Sequence, residues 1–251
     1  MGPLEFENPE IDGFAIRTFR DTADLDYIAA RLCYRSGLIP QFHWQSLQCI
    51  EKYFKTILLL NRIKCTERTH SLKNLYDLSV QLPFELFLSP SSDKLIEHLD
   101  KFGTNRYFNY SYYVDGPKLV LLDKCVWEIR HYCYQMNYSI FLDGEYRSQL
   151  NNNVNLIRTS HNNFKNSKKI PNVNGKLEEI VANKEYFSRK ALIWQNAFFG
   201  LKNRNVVKQK IHFIAENPPL SLNPDLLEEI EKYIFLPKHV CTAYRNIKKP
   251  K

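Results

Sequence analysis

Glycine is scarce in this chain, with only 8 among its 251 residues. Phosphate cradles of the dinucleotide-binding and P-loop kinds need several glycines at fixed spacing, because the backbone must come close to the phosphate. Neither Gly-x-Gly-x-x-Gly nor a glycine-rich loop ending in Gly-Lys-Ser/Thr occurs. His-Glu-x-x-His and Gly-x-Ser-x-Gly, the motifs of zinc proteases and of many hydrolases, are missing as well. The sequence therefore argues against these four classes of protein.

Long apolar runs and closely paired cysteines are also lacking. No run approaches the roughly 20 apolar residues that a membrane-spanning helix needs, and the first ten residues are acidic rather than basic and then apolar. The six cysteines form no Cys-x-x-Cys pair, which gives zinc ligation little support. We expect no membrane contact, no metal or cofactor, and reduced, buried thiols in the cytoplasm.

Apolar and charged residues are present in the proportions of a foldable protein, at 44% and 25%. The charge is unevenly divided along the chain. Residues 1–150 hold 17 Lys and Arg against 19 Asp and Glu, a net −2, whereas residues 151–251 hold 18 against 8, a net +10. Such asymmetry predicts a C-terminal surface that faces a polyanion, although a solvated Lys-rich surface would give the same count.

Apolar residues recur at helical spacing through the first half of the chain. The spacing predicts helices over 21–37, 40–60, 72–83 and 93–103, and its longest uninterrupted stripe over 119–136. In the first of these helices, Leu25, Ile28 and Leu32 form the stripe that should face the core. Several helices with short connections predict a bundle.

The remaining segments are predicted to be more mixed. The aromatic segment 106–114 is β-prone and should form a strand or an extended arm. Nine Asn and the breakers Pro171 and Gly175 predict an exposed loop or linker over 151–175. Helices are expected over 177–181, 187–199 and 223–237, with a strand over 206–213. We therefore predict a mainly α protein with a bundle over 1–150, a linker over 151–175 and a basic, mostly helical extension over 176–251 packed on the bundle.

Three motifs follow one another between residues 23 and 78. They are acidic-Tyr-x-x-Ala-Arg at 26–31, Gln-x-x-Glu-Lys-x-x-Lys at 48–55 and His-x-Leu-x-x-Leu at 70–75. In order and spacing this segment resembles the HEPN domain, and segments 126–133 and 190–200 resemble an extended bacterial form of it. The resemblance implies an up-and-down helical bundle that usually forms a homodimer. It also implies a role in phage defence or toxin–antitoxin systems, binding nucleotides or cutting RNA.

RNA-cutting members of that family carry an Arg followed, after four to six residues, by a His. Here Arg62 and His70 have seven residues between them, and Arg130 and His131 are adjacent. Lys64 and His70 have a fitting spacing, but Lys lacks the planar fork that holds a phosphate bidentately. The usual ribonuclease motif is therefore missing, and the residues leave open whether the chain is an enzyme.

Two places nevertheless carry the groups that metal-independent RNA cleavage needs, a base near neutral pKa and a cation. Arg130 and His131 supply both, although neighbouring residues on a helix point about 100° apart. The alternative is that they form a surface pair beside Glu128.

The second place is His70, at a predicted helix start. With Arg62, Lys64 and Arg68 before it, His70 could bind an anion, or it could instead cap and pack the helix.

The C-terminal basic residues add a third candidate surface. On the predicted strand Lys208 and Lys210 share a face, near Lys202, and would bind a polyanion in a salt-dependent way. The leading hypothesis is an HEPN-like protein that engages RNA or a nucleotide. One alternative is a non-catalytic partner of a toxin, an antitoxin or a nucleotidyltransferase. The other is a divergent metal-independent endoribonuclease that uses His70 or His131.

Overall fold

A computed structural model describes residues 8–66, 70–105, 107–162, 173–199, 207 and 213–247. The chain begins with a helical segment whose Asn8 side chain caps it by accepting from the backbone N–H of Ile11. Within this segment α1 (Pro9–Phe14) passes through a π-helical stretch (Ala15–Arg20) into α2 (Asp21–Arg35). Gly37, at φ +72°, then reverses the chain into α3 (Ile39–Leu60).

The 22-residue helix α3 lies at the centre of the fold. Around it pack α2, α4 (Leu72–Leu78), α5 (Pro90–Phe102) and α6 (Lys118–Arg130). Pro40 at the second position of α3, Pro90 at the first position of α5 and the Ser71 cap of α4 start these helices within three residues of the predicted positions. The helices predicted over 21–37, 40–60, 72–83 and 93–103 are thus confirmed.

Short strands and further helices complete the described part of the chain. Strand β1 (Tyr112–Val114) pairs antiparallel with β4 (Ile214–Glu216), and β2 (Ser139–Leu142) forms a hairpin with β3 (Glu145–Ser148). The remaining helices are α7 (Leu150–Asn162), α8 (Lys176–Ala182), α9 (Arg189–Ile193), α10 (Pro219–Leu222), α11 (Leu227–Ile230) and α12 (Lys238–Ile247). The prediction of a mainly α fold with a short extended element is confirmed.

The stripe predicted to bury α2 is wrong. Leu25 and Leu32 are 50% and 45% exposed, and only Ile28 of the three is in the core. The buried face carries Asp24, Tyr27 and Arg31 instead. These polar side chains can be buried because each has a hydrogen-bond or ion-pair partner on another element. Apolar periodicity alone therefore predicted the wrong side of α2 to face the core.

The linker predicted over 151–175 is also wrong for its first part, since α7 covers Leu150–Asn162. Asn has a low helix propensity, but Val154 and Ile157 are buried one turn apart, and this packing outweighs the propensity. Residues 163–172 lie outside the described part of the chain.

Other boundaries differ too. Helix α6 ends at Arg130 rather than at 136, and the 187–199 segment is helical only over Arg189–Ile193. The predicted helix over 223–237 is broken into a 3-10 turn (Pro224–Leu226) and α11, while the following α12 was not predicted. The strand predicted over 206–213 falls almost entirely outside the described residues.

Within the described ranges, every helix is too short or too polar to span a bilayer. All six cysteines are free; Cys33 and Cys65 are half-buried and the other four are buried. The expectation of free thiols is confirmed, and that of burial holds for four of the six.

Candidate functional site

A line of polar and aromatic side chains follows one face of α3 and meets His70 from the segment before α4. Trp44, Gln48, Glu51 and Lys55 recur at steps of four, three and four residues, which places them on one side of the helix. Glu51 is the hub of this line. Its buried carboxylate accepts from Gln48 Nε2 at 3.1 Å, from Lys55 Nζ at 2.6 Å and from His70 Nδ1 at 2.9 Å. We call these five residues the Glu51 site.

The Glu51 contact sets the chemistry of His70. A carboxylate can only accept a hydrogen bond, so in the neutral ring the proton sits on Nδ1 and Nε2 is the basic nitrogen. The side chain of His70 is 55% exposed, whereas that of Glu51 is 5% exposed. The ring of His70 also packs against that of Trp44, with centroids 5.7 Å apart and planes inclined by 69°. A buried carboxylate that orients an exposed imidazole is the geometry of a general base.

The cations predicted to surround His70 are divided. Arg62 binds α1, with Nη1 2.7 Å from Asp12 Oδ1, and its own backbone is left-handed at φ 57°. His70 instead lies against the middle of α3, where Glu51 is found. Lys64 is exposed on the segment between them, and Arg68 lies outside the described residues.

Arg130 is buried in an ion network. Its Nε and Nη2 donate to both oxygens of Asp24, at 2.8 and 2.9 Å, and its Nη1 and Nη2 donate to Glu178, each at 2.6 Å. Tyr53 donates to the same Asp24 at 2.6 Å. The guanidinium is 3% exposed, and every nitrogen has a carboxylate partner. The alternative of a surface pair is therefore wrong, and the burial argues against the catalytic role predicted for Arg130.

His131 is buried as well and packs among aromatic rings. Its centroid lies 4.8 Å from that of Trp127 and 5.5 Å from that of His161. Burial, strengthened by the neighbouring His161 and Arg130, lowers the pKa of His131 to about 3. A buried imidazole with so low a pKa is a poor proton acceptor near neutral pH. Glu128, predicted to lie beside the pair, instead accepts from Ser89 and Ser92 at the start of α5.

A second buried network joins Tyr27 and Arg31 of the first motif to Asp123 and Asn196, which no sequence pattern marked. Asp123 accepts from Tyr27 Oη at 2.6 Å and forms an ion pair with Arg31. Asn196 Nδ2 donates to Tyr27 Oη at 2.8 Å, and Arg31 Nε donates to the Ala191 carbonyl at 3.0 Å. This network attaches α9 and the segment after it to α2. The first HEPN-like motif therefore supplies structural contacts, whereas the second and third motifs supply the Glu51 site.

Two clefts offer other candidate sites. One, of about 630 Å³, follows residues 76–86, and its charged lining residues Asp77 and Glu85 have the wrong sign for a phosphate. The other, of about 320 Å³, lies over Arg20, Gly175 and Glu178, beside the Arg130 network. Among the residues that the structure covers, no three of His, Cys, Asp and Glu are grouped as metal ligands.

Lys202, Lys208 and Lys210 lie outside the described residues, so the structure does not bear on the predicted C-terminal basic face. Comparison with protein-family models, curated proteins and solved structures finds no match. The resemblance to the HEPN domain stays a prediction that rests on the three motifs.

Proposed function

We propose that this chain is an HEPN-like protein that binds RNA or a nucleotide at the Glu51 site, as a member of a defence or toxin–antitoxin system. The observation that carries the proposal is the exposed imidazole of His70 held 2.9 Å from the buried carboxylate of Glu51. Two motifs that are distant in sequence supply this pair, and both belong to the HEPN-like pattern.

The surroundings of His70 suit an anionic ligand. Lys55 neutralises Glu51 at 2.6 Å, and Lys52 pairs with Asp26 on the adjacent helix, so the acids of this face are each matched by a base. Lys64 is exposed on the segment that leads to His70. With these carboxylates neutralised, a phosphate next to His70 would meet little repulsion and would be attracted by Lys64.

A binding experiment tests the proposal. We expect a fluorescein-labelled single-stranded RNA, followed by anisotropy at low salt, to bind about tenfold more weakly to His70→Ala than to the natural chain, which corresponds to about 1.4 kcal/mol. His239→Ala is the matched control, since His239 is exposed on α12. Equal affinities of the natural chain and His70→Ala would contradict the proposal.

A second candidate function is metal-independent RNA cleavage, which the carboxylate–imidazole geometry favours. His70 Nε2 would accept the proton of the 2′-hydroxyl as the 2′-oxygen bonds to phosphorus. The P–O5′ bond would break, the 5′-oxygen would take a proton from water, and the other product would be a 2′,3′-cyclic phosphate. Incubation of the chain with tRNA and mRNA in EDTA, followed by a denaturing gel, should then show cleavage that His70→Ala loses and His239→Ala keeps. Intact RNA throughout would leave binding alone, and RNA that neither binds nor breaks would favour the non-catalytic partner.

A further inference from the structure

The β2–β3 hairpin carries an unusual concentration of exposed apolar side chains. Tyr138, Phe141, Leu142 and Tyr146 are between 42% and 75% exposed, and the rings of Phe141 and Tyr146 pack across the strands at 5.1 Å. Asp143 and Gly144, both at positive φ, form the two-residue turn that joins the strands. In the described part of the chain β2 and β3 pair only with each other. A lone two-stranded sheet is only marginally stable in water, so this hairpin gains from a further strand.

The hydrogen-bond pattern shows which backbone groups of β2 are free to take that strand. Bonded and non-bonded pairs alternate along an antiparallel ladder. The N–H of Gln149 donates to the Tyr138 carbonyl at 2.8 Å, so Tyr138, and by alternation Ile140 and Leu142, turn their backbone groups toward β3. Ser139 and Phe141 therefore turn their N–H and carbonyl groups outward, along the free edge of β2.

This edge lacks the features that usually protect one. Natural sheets block exposed edges with charged residues, proline or bulges. Residues 136–142, Met-Asn-Tyr-Ser-Ile-Phe-Leu, contain no charge and no proline, whereas β3 carries Glu145 and Arg147. The two edges of one hairpin thus differ, and the unprotected edge belongs to β2.

We infer that the free edge of β2 pairs with the same edge of a second copy of this chain, in an antiparallel, two-fold arrangement centred on Ile140. Ser139 of each copy would then exchange backbone hydrogen bonds with Phe141 of the other. The two hairpins would become one four-stranded sheet, which removes both β2 edges. This interface is independent of the proposed function and of the helical bundle.

The side chains along the free edge of β2 are complementary to those of the same edge in a second copy of the chain. In the register centred on Ile140, each Tyr138 lies opposite Leu142 of the other copy, and the two Ile140 side chains face one another. Every cross-strand pair on that face is apolar, and no like charges meet. A partner of different sequence would have to match the same row, whereas two-fold symmetry supplies the match without further requirement.

The oligomeric state tests this interface. By light scattering coupled to size-exclusion chromatography, we expect the natural chain to be a dimer and Ser139→Pro to be a monomer. The proline removes an outward N–H from the first residue of β2, where it does not disturb the β2–β3 ladder. Tyr146→Pro is the matched control, because it removes an outward N–H from β3 and should leave the dimer intact. A monomeric natural chain, or a dimer that only Tyr146→Pro dissociates, would overturn the inference.

A crosslink gives a second measurement that does not depend on the proline variants folding. Residues facing each other in a non-hydrogen-bonded antiparallel pair have Cα atoms about 4.5 Å apart, within disulfide range. Ile140→Cys should therefore form a disulfide-linked dimer on mild oxidation, seen on a non-reducing gel. Tyr146 is exposed on β3, away from the proposed interface. Tyr146→Cys should therefore stay monomeric on that gel. Equal crosslinking of the two variants would contradict the assigned register.

Discussion

The guanidinium of Arg130 joins carboxylates from two distant parts of the chain, Asp24 on α2 and Glu178 on α8. Their attraction raises the pKa of Arg130 well above its ordinary value, despite the opposing effect of burial. A buried ion pair contributes little when both partners are compared with apolar residues, but loss of one partner leaves an uncompensated buried charge. The role of Arg130 is therefore to hold α2, α6 and α8 together.

This role predicts a large loss of stability on removal of the charge. Arg130→Met should lower the free energy of unfolding by about 3–5 kcal/mol, because Asp24 would be buried without its cation. Urea denaturation measures the change. Arg147→Met, at an exposed arginine of the β2–β3 hairpin, should change it by less than about 0.5 kcal/mol. Similar midpoints for the two variants would show that the network is not structural.

Gly175 is fixed by the same network. A Cβ at this position would lie 2.6 Å from Arg130 Nη2 and 3.0 Å from Asp24 Oδ2, closer than these atoms allow. Gly175→Ala should therefore displace the guanidinium and cost about 1–3 kcal/mol. Gly13→Ala is the matched control, because its Cβ has room and alanine favours the helix by roughly 0.5–1 kcal/mol. Thermal melts should show opposite shifts for the two variants, and a stabilising Gly175→Ala would contradict the steric argument.

At the scale of the element, α2 shows where sequence patterns mislead. Its limits were predictable from the acidic first turn and from Gly37, which are local signals. Its buried side was not, because Tyr27 and Arg31 are buried against partners remote in sequence, among them Asp123 of α6. In Asn-rich α7 the error was the opposite one. Its composition is typical of loops, but its apolar stripe packs on the core and the segment is helical.

The rotated face of α2 can be tested with two matched truncations. Ile28→Ala should cost about 2–5 kcal/mol, because Ile28 is buried in the main core. Leu32→Ala lies one turn further along the helix but is 45% exposed, so it should cost less than about 0.5 kcal/mol. Urea denaturation under identical conditions gives both values. Equal costs would restore the stripe that periodicity predicts.

The Glu51 site was half predictable from the sequence. His70 and the spacing of Glu51 and Lys55 were visible, but the pair on α3 reads as an ordinary helix-surface contact. The contact between Glu51 and His70 depends on the path by which the chain returns along α3 after residue 60. No local sequence pattern predicts that path. The regular recurrence of Trp44, Gln48, Glu51 and Lys55 is the sequence pattern from which this face could have been identified.

At the scale of the whole molecule, the C-terminal half is attached to the N-terminal helices by polar contacts at a distance in sequence. Arg20 donates to the Val173 carbonyl at 3.1 Å, and Arg31 donates to that of Ala191. The charge count and the helix-breaking residues predicted a separate basic extension. They could not predict which buried groups of the N-terminal helices would bind it. Long-range pairing of this kind depends on the assembled fold rather than on any window of residues.

The expected response of the molecule to acid depends on three buried histidines, His43, His98 and His131, and on the half-buried His161. His43 on α3 and His98 on α5 share a hydrogen bond of 3.1 Å between their Nε2 atoms. Burial, with the nearby Lys118, lowers the pKa of His43 to about 3 and that of His98 to about 4. The pKa of His131 is likewise lowered to about 3 and that of His161 to about 4, again mainly by burial.

These lowered pKa values predict that the protein loses stability well above the pH at which its carboxylates titrate. In the unfolded chain the histidines take up protons near pH 6.5, whereas the folded chain resists this down to about pH 4. Between these limits the unfolded state binds more protons than the folded state. The free energy of unfolding therefore decreases as the pH is lowered, by up to about 1.4 kcal/mol per pH unit for each histidine. Burial raises the pKa of Asp26 and Asp123, which opposes this loss of stability at the acid end of the range.

Urea denaturation at pH 7.5, 6.5, 5.5 and 4.5 measures how steeply the free energy of unfolding depends on pH. His98→Gln, which keeps a polar partner for His43, should make this dependence shallower by about one proton, whereas His239→Gln on exposed α12 should leave it unchanged. Constant stability across this range would mean that the histidines are accessible to solvent in the folded chain.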